Sequence, residues 1–166
     1  MLRAIAFLLA LALAMTLAAC GSSGGPAATP SPSASGGNQW TFSGALSGVN
    51  TGLEPVCTVT NGMQTIDATG ALESGAFDLI FGASGAGTFD YAKTDSGAIP
   101  IELRYSPRVQ PGNPYGWQAT AGTPGAAGTL TIDSRGSGSL NVTLPPSPSS
   151  PGLADPITID ARWVCP

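Results

Sequence analysis

The stretch AIPIELRY, residues 98–105, decides how this chain folds. Ile99, Ile101, Leu103 and Tyr105 fall on one parity, and Pro100, Glu102 and Arg104 on the other. Successive side chains of a β-strand point to opposite faces, so this alternation is what a half-buried strand requires. Pro100 cannot donate to a ladder and marks an edge strand or a strand start. The same period recurs on either side of it. AFDLIFG (76–82) puts Phe77, Leu79 and Phe81 together, and TLTIDSRGSGSLNVTL (129–144) sets Leu130 and Ile132 against Leu140, Val142 and Leu144 around a Gly/Ser-rich loop. CTVTNGMQTIDA (57–68) carries Asn61-Gly62, the pair favoured for a type I′ hairpin turn. Weaker strands are expected over 39–47, 87–91 and 115–120, and a strong one over 157–165. No window of the mature chain carries a helical stripe. Roughly eight to ten short strands between Gly/Pro/Ser turns predict an all-β, antiparallel sandwich, with a barrel as the alternative. The segments 106–114 and 145–156 are long enough to cross between sheets and favour the sandwich.

Composition bounds the rest. The chain has 166 residues, a net charge of −4 and only 10% charged residues. Its few Lys and Arg form no basic stripe, which argues against nucleic acid. It has no histidine, so the commonest general base and the commonest transition-metal ligand are both missing.

The first 38 residues have a different logic. Arg3 supplies a positive start, and Ala4 to Leu17 form an apolar run interrupted by Thr16. That run is short against the about 20 residues of a membrane span and reads as a signal peptide over residues 1–19. Leu17-Ala18-Ala19-Cys20 closes it. GSSGGPAATPSPSASGGN (21–38) follows, with no charge and nothing large enough to bury, so it reads as a disordered tether. A flexible chain of that length spans roughly 21–25 Å. The domain proper is then residues 39–166.

Cys57 shares parity with Val59, and Cys165 shares parity with Ile157, Ile159, Ala161 and Trp163. Both thiols therefore face the expected core. In an oxidising compartment a Cys57–Cys165 disulfide is the economical reading. Reactive thiols would want a CxxC-type spacing and a basic neighbour, and neither is there.

The LAAC motif resembles the lipobox of bacterial lipoproteins. In that family the cysteine thiol is alkylated with diacylglycerol, palmitate chains are carried, and cleavage leaves the cysteine as the mature N-terminus. The resemblance implies that Cys20 is a lipid anchor. Two or three acyl chains give stable membrane attachment, where one gives only marginal binding. The layout of lipobox, Ser/Pro/Gly tether and a cysteine pair ending almost at the chain terminus also resembles actinobacterial β-rich surface lipoproteins of the nineteen-kilodalton antigen type. That resemblance implies a non-enzymatic, surface-exposed protein on the extracytoplasmic face of the cell membrane or outer envelope.

Catalysis finds little material in the mature chain. Asp78, Glu102 and Asp160 sit on outward parities, where solvated acids are ordinary; a glycosidase-like pair would need two of them to converge across strands. FGASGAGTF (81–89) opens no helix and carries no lysine, so it reads as a flexible hairpin loop rather than a phosphate cradle. DYAKTD (90–95) reads as a plain turn rather than a calcium site. No cofactor and no metal are implied.

Most aromatics fit core parity: Trp40, Phe42, Phe77, Phe81, Phe89, Tyr105 and Trp163. SPRVQPGNPYGWQ (106–118) differs, because Arg108, Tyr115 and Trp117 lie in or beside a Pro/Gly-rich segment. Aromatics on such a loop suit stacking on a sugar or gripping a protein. The competing reading makes Trp117 a core plug at the end of the sandwich. The functional expectation is a lipid-anchored, monomeric surface lipoprotein whose β-domain contacts a protein, glycan or wall component. The alternatives are a carrier of a lipid or other hydrophobic ligand and, last, a hydrolase of cell-surface glycans.

Overall fold

The computed structural model describes residues 37–94, 96–109, 115–150 and 155–166. The segments expected to be a signal peptide (1–19) and a tether (21–38), apart from residues 37 and 38, lie outside the described residues together with Cys20, as do Asp95 and the approach to Tyr115 at 110–114. The described residues contain no helix long and apolar enough to cross a membrane.

Among the described residues, eleven strands form two antiparallel sheets. They are β1 (Gln39–Gly44), β2 (Gly48–Thr51), β3 (Val56–Thr60), β4 (Met63–Leu72), β5 (Gly75–Ser84), β6 (Gly87–Asp90), β7 (Ile101–Pro107), β8 (Tyr115–Ala119), β9 (Ala127–Ile132), β10 (Gly138–Leu144) and β11 (Ile157–Trp163). The six-stranded sheet runs β2-β1-β11-β10-β9-β6 and the five-stranded sheet β3-β4-β5-β7-β8. Each sheet keeps two edges, so the fold is a sandwich and not a closed barrel. The additional strand relative to expectation is β2, four residues long and only partly covered.

Local chemistry explains the elements. Asn61 and Gly62 adopt φ of 53° and 81°, as a type I′ turn requires, and Thr60 pairs with Met63 across it. Leu140 pairs with Leu130, and Asp133 closes the β9–β10 loop by accepting from the amides of Arg135 at 2.8 Å and Ser137 at 3.0 Å. Pro100 precedes β7, which is an interior strand, so the proline marks a strand start.

The sheet-crossing segments differ from those expected. Segment 106–114 joins β7 to its neighbour β8, and 145–156 joins β10 to its neighbour β11, each within one sheet. The chain changes sheet at 52–55, 85–86, 91–100 and 120–126 instead. FGASGAGTF is therefore a corner between sheets and not a hairpin loop; Gly85, at φ 92°, supplies a bend that side chains resist.

The inward parities meet between the sheets. Trp163 stacks on Trp40 with centroids 5.8 Å apart and meets Phe81 edge-on at 5.0 Å. Phe42 lies 4.8 Å from Phe77. Cys57 and Cys165 are joined by a disulfide across a sequence separation of 108 residues, tying the edge strand β3 to the segment that follows β11. Cys165 is buried, and Cys57 is half-buried against the core. Val59 shares that parity but is 57% exposed, because β3 is the outermost strand of its sheet and has little above it.

Candidate functional site

β7 and β8 pair so that Leu103 lies beside Trp117, Glu102 beside Gln118, and Arg104 beside Gly116. Leu103, Trp117 and Ala119 point inward and are buried. The other parity presents Glu102, Arg104, Gly116 and Gln118 on the outer face. Arg104 Nε donates to Glu102 Oε1 at 2.7 Å, with both side chains largely in solvent. That hydrogen bond and the charge of Glu102, with a smaller contribution from Asp78 on β5, hold the guanidinium still more firmly in its charged form.

β8 is an edge strand, and its free edge is covered by a strap. After β10 the chain runs Pro145-Pro146-Ser147-Pro148-Ser149-Ser150 along it. Ser147 donates its amide to Gly116 O at 2.8 Å, and the Gly116 amide donates to Ser150 Oγ at 2.9 Å. Prolines cannot extend a ladder, so the strap terminates the sheet rather than adding a strand to it. Trp117 Nε1 donates to Asp155 O at 3.1 Å and fixes the far end of the same connection.

Strap and strands enclose a furrow with two chemically distinct halves. One is an open depression of about 400 Å³ walled mainly by Pro100, Ile101, Ala119, Pro124, Pro145, Pro146 and Pro148. The other, of about 180 Å³, is lined by Arg104, Tyr115, Gly116, Trp117, Ser147, Ser149 and Ser150. Glu102 and Gln118 border both and mark where they meet. The arrangement offers rigid apolar surface from the prolines, one half-buried phenol, and hydroxyl, amide, carboxylate and guanidinium groups at the rim. Ligand clefts combine apolar walls with a few placed polar groups in this way.

The residues singled out in sequence are distributed unevenly. Tyr115 is half-buried and lines the polar half. Trp117 is 1% exposed, so it is a core residue whose edge floors the furrow and offers no free face for stacking. Arg108 is exposed just beyond β7, with its amide bonded to Ser74 O at 3.0 Å, and does not line either half. Glu102, Arg104, Gln118 and the serine–proline strap were not flagged in sequence as binding residues. The clue available was PPSPSS itself, six residues too stiff to be a free linker.

Among the described residues, Glu102 is the acid that lines the furrow, and Arg104 holds it. Asp160 lies on the outer face of the six-stranded sheet and accepts from Asn141 Nδ2 at 2.8 Å, far from the sheet that carries Asp78 and Glu102. Asp67 and Asp78 approach the Thr69 hydroxyl at 3.2 and 3.1 Å on the other outer face. Asp90 meets Lys93 at 3.5 Å in the turn after β6.

The furrow also has a defined place relative to the chain's entry. At one end of β1, Asn38 Oδ1 accepts from the Val164 amide at 2.9 Å. At the other end, Ala45 N donates to Pro156 O at 3.1 Å, beside the Asp155 carbonyl that holds Trp117. The six residues of β1 separate the two ends by about 20 Å. Comparison with protein-family models, curated proteins and solved structures finds no match.

Proposed function

We propose that this chain is a non-enzymatic surface lipoprotein, held on the extracytoplasmic face by lipid on Cys20, whose β-sandwich binds a protein or glycan partner in the strap furrow. One observation carries the reading. The Tyr115–Trp117 end of the furrow lies at the end of β1 opposite the point where the chain enters the domain. A domain tethered through residues 21–38 would thus present its polar half away from the membrane. The prolines stiffen the furrow before a partner arrives, so less conformational entropy is lost on docking. Without histidine, the strap serines have no ordinary general base, which favours binding over hydrolysis. A second reading, carriage of a hydrophobic ligand, draws on the apolar half alone.

The test uses the mature protein released from its lipid. Wild type and Gln118→Trp are compared for capture of surface proteins and for binding to a glycan array. Gln118 is exposed and borders both halves, so the larger side chain obstructs the furrow without touching the core. Loss of the captured partner in Gln118→Trp supports the furrow; equal capture by both proteins contradicts it. Lipid extracted in stoichiometric amount from the wild type would favour the carrier reading instead.

A further inference from the structure

On the reading that the furrow is the binding site, we propose that its ligand is a neutral amphiphile of the alkyl-glycoside class. The sugar head occupies the polar half and the chain lies on the prolines. Size divides the ligand first. The apolar half, about 400 Å³, falls within the about 300–1,000 Å³ of small-molecule sites. The polar half, about 180 Å³, falls below that range and holds only the end of such a molecule. Glu102 and Gln118 border both halves, so one ligand runs from one into the other along the same wall. Tyr115 and Ala119, the two ends of β8, set the length of that wall at about 13 Å.

Hydrogen-bonding capacity divides along the same line. In the apolar half the hydroxyls of Thr120 and Thr123 bond to each other at 3.0 Å, and Thr123 Oγ1 also accepts from the Thr120 amide at 2.9 Å. The prolines beside them carry no N–H. In the polar half capacity remains. Ser150 Oγ accepts from the Gly116 amide, which leaves its own O–H to donate. Ser147 and Ser149 share one hydrogen bond between two hydroxyls at 2.8 Å, so one O–H of the pair is also left. Arg104 engages Glu102 through Nε and Oε1 alone, leaving the terminal N–H groups and Oε2 for a ligand. A sugar hydroxyl donates and accepts at once, which suits this mixture. Charge disfavours ionic heads. Arg104 is bonded to Glu102 and lies opposite Asp78 on β5, two carboxylates for one guanidinium. An anionic head would meet that excess and an ammonium head would meet the guanidinium. Hydroxyls join the Arg104–Glu102 pair without breaking it.

Octyl β-glucoside, kept below its micelle concentration, is titrated into nitrogen-15-labelled chain beginning at residue 20, with Cys20→Ser. Methyl β-glucoside supplies the head alone, and octanoate a chain of equal length on a carboxylate. The amides of Gly116, Gln118 and Ala119 are expected to shift saturably, with a Kd for octyl glucoside about tenfold or more below that of either comparison probe. Gln118→Trp should weaken octyl glucoside by a similar factor with the spectrum otherwise retained. Equal binding of octanoate or of methyl glucoside overturns the proposal, because chain or head then suffices. Shifts centred on the exposed Val56 and Val59 instead, or shifts indifferent to Gln118→Trp, overturn it as adventitious detergent contact. If octyl glucoside leaves the furrow unmoved while Gln118→Trp still abolishes capture of a surface partner, the furrow stands and the amphiphile falls.

Discussion

The indole N–H of Trp117 donates to the main-chain oxygen of Asp155 at 3.1 Å, so a strand of the five-stranded sheet holds the segment entering the last strand of the six-stranded one. Trp117 is fully enclosed there. Trp117→Ala should destabilise the domain by about 3–5 kcal/mol, through lost burial and the cavity left behind. Trp117→Phe keeps most of the packing but loses the donor, and should cost about 1–2 kcal/mol. Denaturant titration of the two variants measures both. All three tryptophans of the chain are buried, so the emission of the wild type should be blue-shifted and resist iodide.

Cys57–Cys165 closes most of the domain into one loop. Closing a loop of about 100 residues removes denatured-state entropy worth up to about 4.7 kcal/mol on the chain-entropy account. Replacing both cysteines by alanine should lower stability by about 2–5 kcal/mol, read as a lower urea midpoint. Non-reducing peptide mapping should recover the two segments linked, and two titratable thiols in the native protein would contradict this.

Tyr91 is buried, and its hydroxyl donates to Ile99 O at 3.1 Å. Burial pushes its phenol well above the usual tyrosine range. Below pH about 10 the phenol is neutral in both states, and its contribution to stability is complete. Above that, the unfolded chain releases a proton that the folded protein retains, so stability falls by about 1.4 kcal/mol per pH unit for this one group. Tyr91→Phe should therefore flatten the alkaline limb of the stability profile between pH about 10 and 12, at a cost of about 1 kcal/mol at neutral pH.

Gln64 is inward-facing on β4 and 4% exposed, and its Oε1 has no hydrogen-bond partner among the described residues. An unpaired buried carbonyl costs about 1–3 kcal/mol. Gln64→Met, similar in size and apolar, should leave stability unchanged or raise it by up to about 2 kcal/mol. A loss of more than that in thermal denaturation would show that Gln64 has a polar partner in solution.

What was readable in the sequence was parity. Ile101, Leu103, Phe77, Leu130 and Ile159 alternate with polar residues and are buried on that parity, whereas on the edge strand β3 the same parity leaves Val59 exposed. Asn61-Gly62 was readable because few residues tolerate positive φ in succession. Parity says which face a side chain takes but not which sheet its strand joins, so the crossings were placed in the longest segments, although two residues after Ser84 suffice. Tyr91 shares the parity of Phe89 within the strand expected over 87–91, but its place in DYAKTD, among Asp90, Lys93 and Thr94, read as a turn and hid it from the core. The furrow was only half legible. Tyr115 could be picked from its loop, but Glu102 and Gln118 become neighbours only through the β7–β8 register, and the strap serines only through folding of the 145–150 segment onto β8.

On the proposed function, the domain acts at a membrane surface, held by lipid on Cys20. Intact-mass and N-terminal peptide analysis of the protein purified from membranes of a bacterial host decides whether it is so held. The expected product is a mature chain that begins at Cys20 and carries diacylglycerol on its thiol, with Cys20→Ala leaving an unprocessed or unlipidated product that no longer enters the detergent phase. A cleaved protein with an unmodified Cys20, or a Cys20→Ala protein that is cleaved and partitions as the wild type does, would contradict it.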